Sequence, residues 1–128
     1  MTQKLNLVLC WHMHQPWYKE CHSGEYRLPW VYLHALKDYV DMVAHLEAHP
    51  NMRVVVNFAP ILLEQLDDYK EQFHQWKVIG APFREPLLNL LSGNIPIPDN
   101  LESRTKIILD CLRANRNQMI DPYPQYEK

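Results

Sequence analysis

The stretch Leu5-Asn6-Leu7-Val8-Leu9-Cys10-Trp11-His12-Met13-His14-Gln15-Pro16 decides the predicted fold of this chain. A continuous apolar run of this length predicts a strand over residues 5–11 that is buried on both faces, as in parallel sheets. Two imidazoles, an amide and a proline follow, which places polar groups at the carboxyl end of the strand, where α/β folds bind ligands. Because side chains alternate along a strand, we expect His12 and His14 to lie on the same side.

The composition is typical of a globular protein without a highly charged partner. The 128 residues carry a formal net charge of -2, so we expect neither a nucleic-acid nor a membrane partner. No apolar stretch approaches the roughly 18 residues of a membrane span. Only three glycines occur and no glycine-rich phosphate loop is present, and we predict no cofactor. Three cysteines, an odd number without a C-x-x-C pair, predict a reduced, cytoplasmic location.

The pattern of elements predicts an α/β fold in a single domain over residues 1–128. We expect a strand at 5–11, a long polar and aromatic loop at 12–29, a helix at 30–49, a strand at 53–58, a helix from Pro60 through Trp76, a short helix at 87–91 and a last helix from about Asp99 to Met119. Strands joined by helices predict a parallel pair. Since a parallel sheet normally has more strands, the chain is predicted to be the N-terminal portion of a larger barrel.

Four ordered segments resemble the N-terminal part of family-57 glycoside hydrolases, which are amylases, glucanotransferases and branching enzymes acting on α-glucans. They are His12-Met13-His14-Gln15-Pro16, similar to the first signature motif of the family; Leu28 to Tyr39 (LPWVYLHALKDY); Asn57-Phe58-Ala59-Pro60 with Leu63-Glu64-Gln65; and Met119 to Tyr126 (MIDPYPQY). The segments occur in the order of the family and span nearly the whole chain.

The resemblance implies a seven-stranded (β/α) barrel and a retaining mechanism. In such a mechanism a glutamate nucleophile and an aspartate acid/base lie about 5–5.5 Å apart. In the family these carboxylates belong to later motifs that nothing in residues 1–128 resembles. We therefore assign no catalytic residue here, and we expect a chain that carries contacts to α-glucan or maltooligosaccharide but is inactive alone. Weak sugar binding by the chain alone and no binding at all are two alternatives that the sequence leaves open.

Six polar or aromatic residues are the candidate substrate contacts. They are His12, His14, Gln15, Trp30, His34 and Asn57. A neutral imidazole offers one donor and one acceptor to a sugar hydroxyl, and a flat aromatic ring suits a sugar face. Four of them have a plainer interpretation: His14 as a core histidine bonded to a backbone carbonyl, Gln15 as a support for the turn, Trp30 as core, and Asn57 as a support for the turn backbone.

Two other functions and an assembly tendency follow from the same residues. Cys10, His12 and His14 share one side of the predicted strand, with Cys21 and His22 nearby, which is a possible zinc ligand set although the spacing matches no recognised zinc motif. A non-catalytic carbohydrate-binding module would use the same histidines with Trp30. Open strand edges and uncovered apolar faces predict self-association.

Overall fold

The computed structural model describes residues 5–113 and 115–122, without the side chain of Met119. The elements are β1 (Cys10–Met13), α1 (Trp30–Leu36), α2 (Asp38–Ala48), β2 (Val55–Phe58), α3 (Pro60–Ile79), α4 (Pro86–Leu91), α5 (Leu101–Cys111) and α6 (Arg116–Met119). The chain is therefore mixed α/β, as predicted. Residues 123–126 of the fourth resembling segment lie outside the described part.

A two-stranded parallel sheet is the centre of the N-terminal half. β1 pairs with β2 in the register Cys10↔Val55, Trp11↔Val56, His12↔Asn57 and Met13↔Phe58. The parallel pairing agrees with the prediction from strands joined by helices. Within the described residues these two strands form the sheet, so the barrel itself is not seen.

The first strand differs from its prediction in position and in burial. It begins at Cys10 and not at Leu5, and the side chains of Leu5, Leu7 and Val8 are 92%, 77% and 78% exposed. β2 likewise begins at Val55, two residues after the predicted start, and all its residues are exposed. The expectation of strands buried on both faces is wrong here. An apolar run shows that a segment is hydrophobic, but it does not show whether other elements pack against both faces of the strand.

Helix boundaries also differ where the apolar period continues through a break. The predicted helix 30–49 is two helices, since Lys37 leaves the regular helical backbone between α1 and α2. The last predicted helix is likewise divided into α5 and α6, and its start is capped by Asn100, not Asp99. α3 ends at Gly80, whose φ of 67° lies in the left-handed region that glycine adopts without strain.

The core lies between β1, the loop that follows it, α1 and α3. Its fully or nearly fully buried apolar members are Met13, Tyr26, Val31, Tyr32, Leu62 and Tyr69. The predicted packing stripe of α3 is confirmed, with Tyr69 in this cluster, Phe73 edge-on to the ring of Phe83 and Trp76 tilted against it. The same helix also buries two amides, Gln65 and Gln72, which the apolar stripe did not predict.

The chain falls into two compact units, Met1–Asn94 and Ile95–Lys128. The first holds β1 through α4 and the core. The second holds α5 and α6, and none of its described residues is buried. A single domain over 1–128 stays a prediction.

Candidate functional site

His12, His14 and Asn57 are brought together at the carboxyl end of the sheet. His12 and Asn57 are register partners on neighbouring strands, although 45 residues separate them. His12 Nδ1 donates to Asn57 Oδ1 at 2.7 Å. With Nδ1 holding the hydrogen, Nε2 of the neutral ring presents a lone pair to any ligand. Asn57 therefore lies beside His12 at the carboxyl end of the sheet.

The two histidine rings lie side by side, as strand alternation predicts. Their centroids are 5.8 Å apart and their planes differ by 14°. Both residues are exposed, so His14 is not a core histidine. Met13 between them is 5% exposed and belongs to the core. One buried side chain thus anchors the strand and leaves both imidazoles on its open side.

Trp30 and His34 form a second group along α1, and His34 continues it to Tyr39 at the start of α2. Their ring centroids are 6.3 Å apart, and His34 lies 6.5 Å from the ring of Tyr39. His34 Nδ1 is also hydrogen-bonded to the Asp38 carboxylate. Trp30 and His34 are half-buried, which leaves part of each ring available for contact. The one-turn spacing of Trp30 and His34 brings them together as expected.

Gln15 connects the second group to the loop after β1. Its Nε2 donates to the Tyr39 hydroxyl at 3.4 Å, and its Oε1 accepts from the Tyr18 hydroxyl at 3.3 Å. Tyr18 and Tyr39 were not among the predicted site residues. The signal that could have found Tyr39 is its place at the end of the resembling segment Leu28 to Tyr39.

The loop after β1 is fixed to α3 by the amide of Gln65. Its Oε1 accepts from the Tyr18 backbone N–H at 3.0 Å, and its Nε2 donates to the Pro16 carbonyl at 2.9 Å. Nε2 also donates to Ile61 within α3 at 3.1 Å. Gln65 is fully buried. Because buried amides are costly unless bonded, the three bonds keep Gln65 satisfied, and two of them hold the backbone of Pro16 and Tyr18 in place.

One helical turn further along α3, Asp68 holds the rest of the loop. Its carboxylate accepts from Lys19 Nζ at 3.2 Å and from the Tyr26 hydroxyl at 2.9 Å, and it is paired with Arg84. Gln72 donates to it at 3.0 Å. Burial raises the pKa of the Asp68 carboxyl, but the Tyr26 and Lys19 hydrogen bonds and the Arg84 charge outweigh it, so the pKa lies below its usual value.

The residues of the zinc alternative do not assemble. In the described part of the chain no three histidine, cysteine, aspartate or glutamate side chains are close enough to hold a metal ion together. Cys10, which belongs to the strand predicted to be buried on both faces, is exposed, and all three cysteines are free. No helix among the described residues is long and apolar enough to cross a membrane.

The geometry is that of an α/β chain with exposed imidazole and amide groups at the carboxyl end of a parallel sheet and a half-buried indole at the start of α1. A family model described as glycosyl hydrolase family 57 matches residues 8–77, which is more than half of the chain. The protein therefore belongs to glycosyl hydrolase family 57, as the resemblance predicts. The match contains β1, α1, α2, β2 and most of α3, and hence all six candidate contact residues. No curated protein and no solved structure matches the chain.

Proposed function

We propose that this chain supplies part of the substrate-binding wall of a retaining glycoside hydrolase or glucanotransferase acting on α-glucans. The observation that carries the proposal is the exposed His12–His14 pair with its Asn57 partner, which lies inside the region that defines family membership. The proposed contacts are His12, His14, Gln15, Trp30, His34 and Asn57. The (β/α)7 barrel that the family resemblance implies is part of the same proposal.

The chemistry of these groups fits a polyhydroxylated ligand. His12, with Nδ1 bonded to Asn57, offers Nε2 as an acceptor to a sugar hydroxyl. His14 offers one donor and one acceptor as a neutral ring, and the half-buried Trp30 ring offers a flat apolar surface to a pyranose face.

Hydrolysis by the 128 residues alone is not expected. Retaining chemistry needs a nucleophile and an acid/base separated by about 5–5.5 Å across the scissile bond. In the family resemblance that pair belongs to later motifs. The chain is therefore proposed to bind maltooligosaccharide without cleaving it. The three free, exposed cysteines support the associated proposal of a cytoplasmic location.

A titration with maltohexaose tests the proposal. Chemical shifts of the backbone amides of the ¹⁵N-labelled full chain should change at residues 12–15 and at Trp30. His14→Ala should weaken binding about tenfold, the effect of losing roughly 1.4 kcal/mol of contact. His74→Ala, which removes an exposed imidazole on α3, is the matched control and should bind as the wild type does.

Two results would contradict the proposal. Absence of any maltohexaose-dependent shift at millimolar sugar would reject the binding role. Release of shorter oligosaccharides at a rate abolished by His14→Ala would reject the statement that the chain alone does not cleave.

A further inference from the structure

Gln65 is a fully buried polar side chain that contacts the backbone at the end of the His12–Pro16 segment and just after it. It lies on the core-facing side of α3, between Leu62 and Tyr69, where the helix period would favour an apolar residue. It contacts this backbone on both sides of Trp17, through the Pro16 carbonyl and the Tyr18 N–H. Its remaining amide hydrogen bonds Ile61 one turn earlier.

The orientation of the Gln65 amide follows from its partners. A carbonyl only accepts and a backbone N–H only donates, so Nε2 must face Pro16 and Ile61, and Oε1 must face Tyr18. A methionine has a similar length but pairs none of these groups. A glutamate would place a second acceptor opposite two carbonyls. Glutamine is therefore the side chain that this arrangement requires.

Gln65 is connected through Tyr18 to Gln15, one of the proposed sugar contacts. Gln65 holds the backbone of Tyr18, and the Tyr18 hydroxyl donates to Gln15 Oε1, which leaves Gln15 Nε2 pointed at Tyr39. His14 lies two residues before Pro16, whose carbonyl Gln65 holds. We propose that Gln65 is a positioning residue that sets the conformation of residues 14–18, and through it the placement of His14 and Gln15 for the ligand. This inference rests on the proposed function.

The test compares Gln65→Met with Gln72→Met in the full chain. Gln72 is a buried amide on the same helix, two turns away, and its bonds go to Asp68 and the Arg84 backbone N–H. Both variants lose a buried amide, so both should lower global stability. Only Gln65→Met should speed exchange of the Tyr18 amide hydrogen, by about tenfold beyond any change in the global rate, and shift the His14 and Gln15 resonances.

A measurement on the wild type keeps the test independent of whether Gln65→Met folds. Both Nε2 hydrogens of Gln65 should be resolved, exchange slowly and show nuclear Overhauser contacts to Pro16 or Ile61. Rapid exchange of these hydrogens, as in an exposed amide, would overturn the proposal. Equal Tyr18 exchange in the two methionine variants would overturn it as well.

The maltohexaose titration separates this inference from the proposed function. If the wild type binds, Gln65→Met should bind about tenfold more weakly and Gln72→Met should bind as the wild type does. Unchanged affinity in Gln65→Met would overturn the positioning role in recognition. If the wild type does not bind, the proposed function fails, while the exchange and resonance measurements still decide whether Gln65 sets the 14–18 conformation.

Discussion

At the scale of single residues, Asp68 joins three separate parts of the chain. The Asp68 side chain is 19% exposed. Its carboxylate accepts hydrogen bonds from Lys19 and Tyr26 in the loop after β1, from Gln72 on α3 and from Arg84 after that helix. Burial and the bond to Asp68 also raise the pKa of the Tyr26 phenol, which keeps it a donor. An acceptor with this many donors is expected to stabilise the loop most in its ionised form.

Asp68→Asn should therefore lower the free energy of unfolding at pH 7 by about 2 kcal/mol, as for a lost hydrogen bond to a charged group. The pKa of Asp68 in the folded chain lies below the ordinary 3.8, so its stabilisation is present above pH 3.8 and is lost as the pH falls through the folded value. The stability difference between wild type and variant should shrink below about pH 4.

Thermal unfolding of both proteins between pH 2.5 and 7 measures this. Asp67→Asn, which alters an exposed carboxylate on the same helix, is the control and should change the melting temperature little at any pH. A difference between wild type and Asp68→Asn that stays constant across this range would contradict the assigned role.

The sequence predicted the placement of a residue where that placement depends on near neighbours along the chain, and failed where it depends on distant ones. The same-side placement of His12 and His14 follows from strand alternation, and that of Trp30 and His34 from helix period. The His12–Asn57 bond joins residues 45 apart and follows from a register that sequence alone does not provide. The buried amide of Gln65 was missed because polarity on a helix usually indicates a solvent-facing side.

At the scale of elements, α4 begins at a buried carboxylate. Glu85, 3% exposed, accepts from the backbone N–H groups of Leu87 and Leu88 at the start of this short helix. Burial raises the pKa of Glu85 above its ordinary value, and the two backbone bonds offset this only in part. The cap therefore supplies acceptors at the cost of desolvating a charge.

Glu85→Gln should gain stability relative to the wild type as the pH rises. A raised folded pKa means that the wild type is favoured below the unfolded value of about 4.5 and loses that advantage as the pH rises through the folded value. The glutamine retains an acceptor for the cap. Urea unfolding of both proteins from pH 4 to 8 should show that the free energy of unfolding of Glu85→Gln rises relative to that of the wild type. A fall in this difference with rising pH would contradict the assignment.

The break between α1 and α2 shows why helix ends were harder to predict than helix positions. No proline or glycine marks it, and the apolar period continues through Leu36 and Tyr39. His34 lies in the last turn of α1 and Asp38 in the first turn of α2. The helix dipole favours basic residues at the C-terminal end of a helix and acidic residues at the N-terminal end, so both residue types suit their positions. The two residues then bond to each other across the break.

At the scale of the whole chain, the sheet leaves apolar groups in water. Val55 is 56% and Phe58 45% exposed on β2, next to strand edges that can pair with another chain. These exposures support the predicted self-association, which stays a proposal. The sequence correctly predicted two parallel strands. Their burial on both faces was not predicted correctly, because burial depends on neighbouring elements about which the apolar pattern gives no information.

The wild type should therefore form dimers or larger species at micromolar to millimolar concentration. Val55→Lys should raise the concentration needed for association about tenfold, because it adds charge at the exposed strand. Val78→Lys is the control, since Val78 is 66% exposed near the C-terminal end of α3 and belongs to no strand. Sedimentation velocity over a concentration series measures this, and a monodisperse wild-type monomer throughout would refute it.

The ladder that pairs residue 12 with residue 57 also has a kinetic consequence. Closing a loop of this size costs entropy before any contact between its ends is gained, whereas α1, α2 and α3 form from near neighbours. The imidazole–amide contact should thus appear among the last events of refolding, after the helices are in place. The chemically useful end of the sheet is acquired late because its halves come from distant parts of the polypeptide.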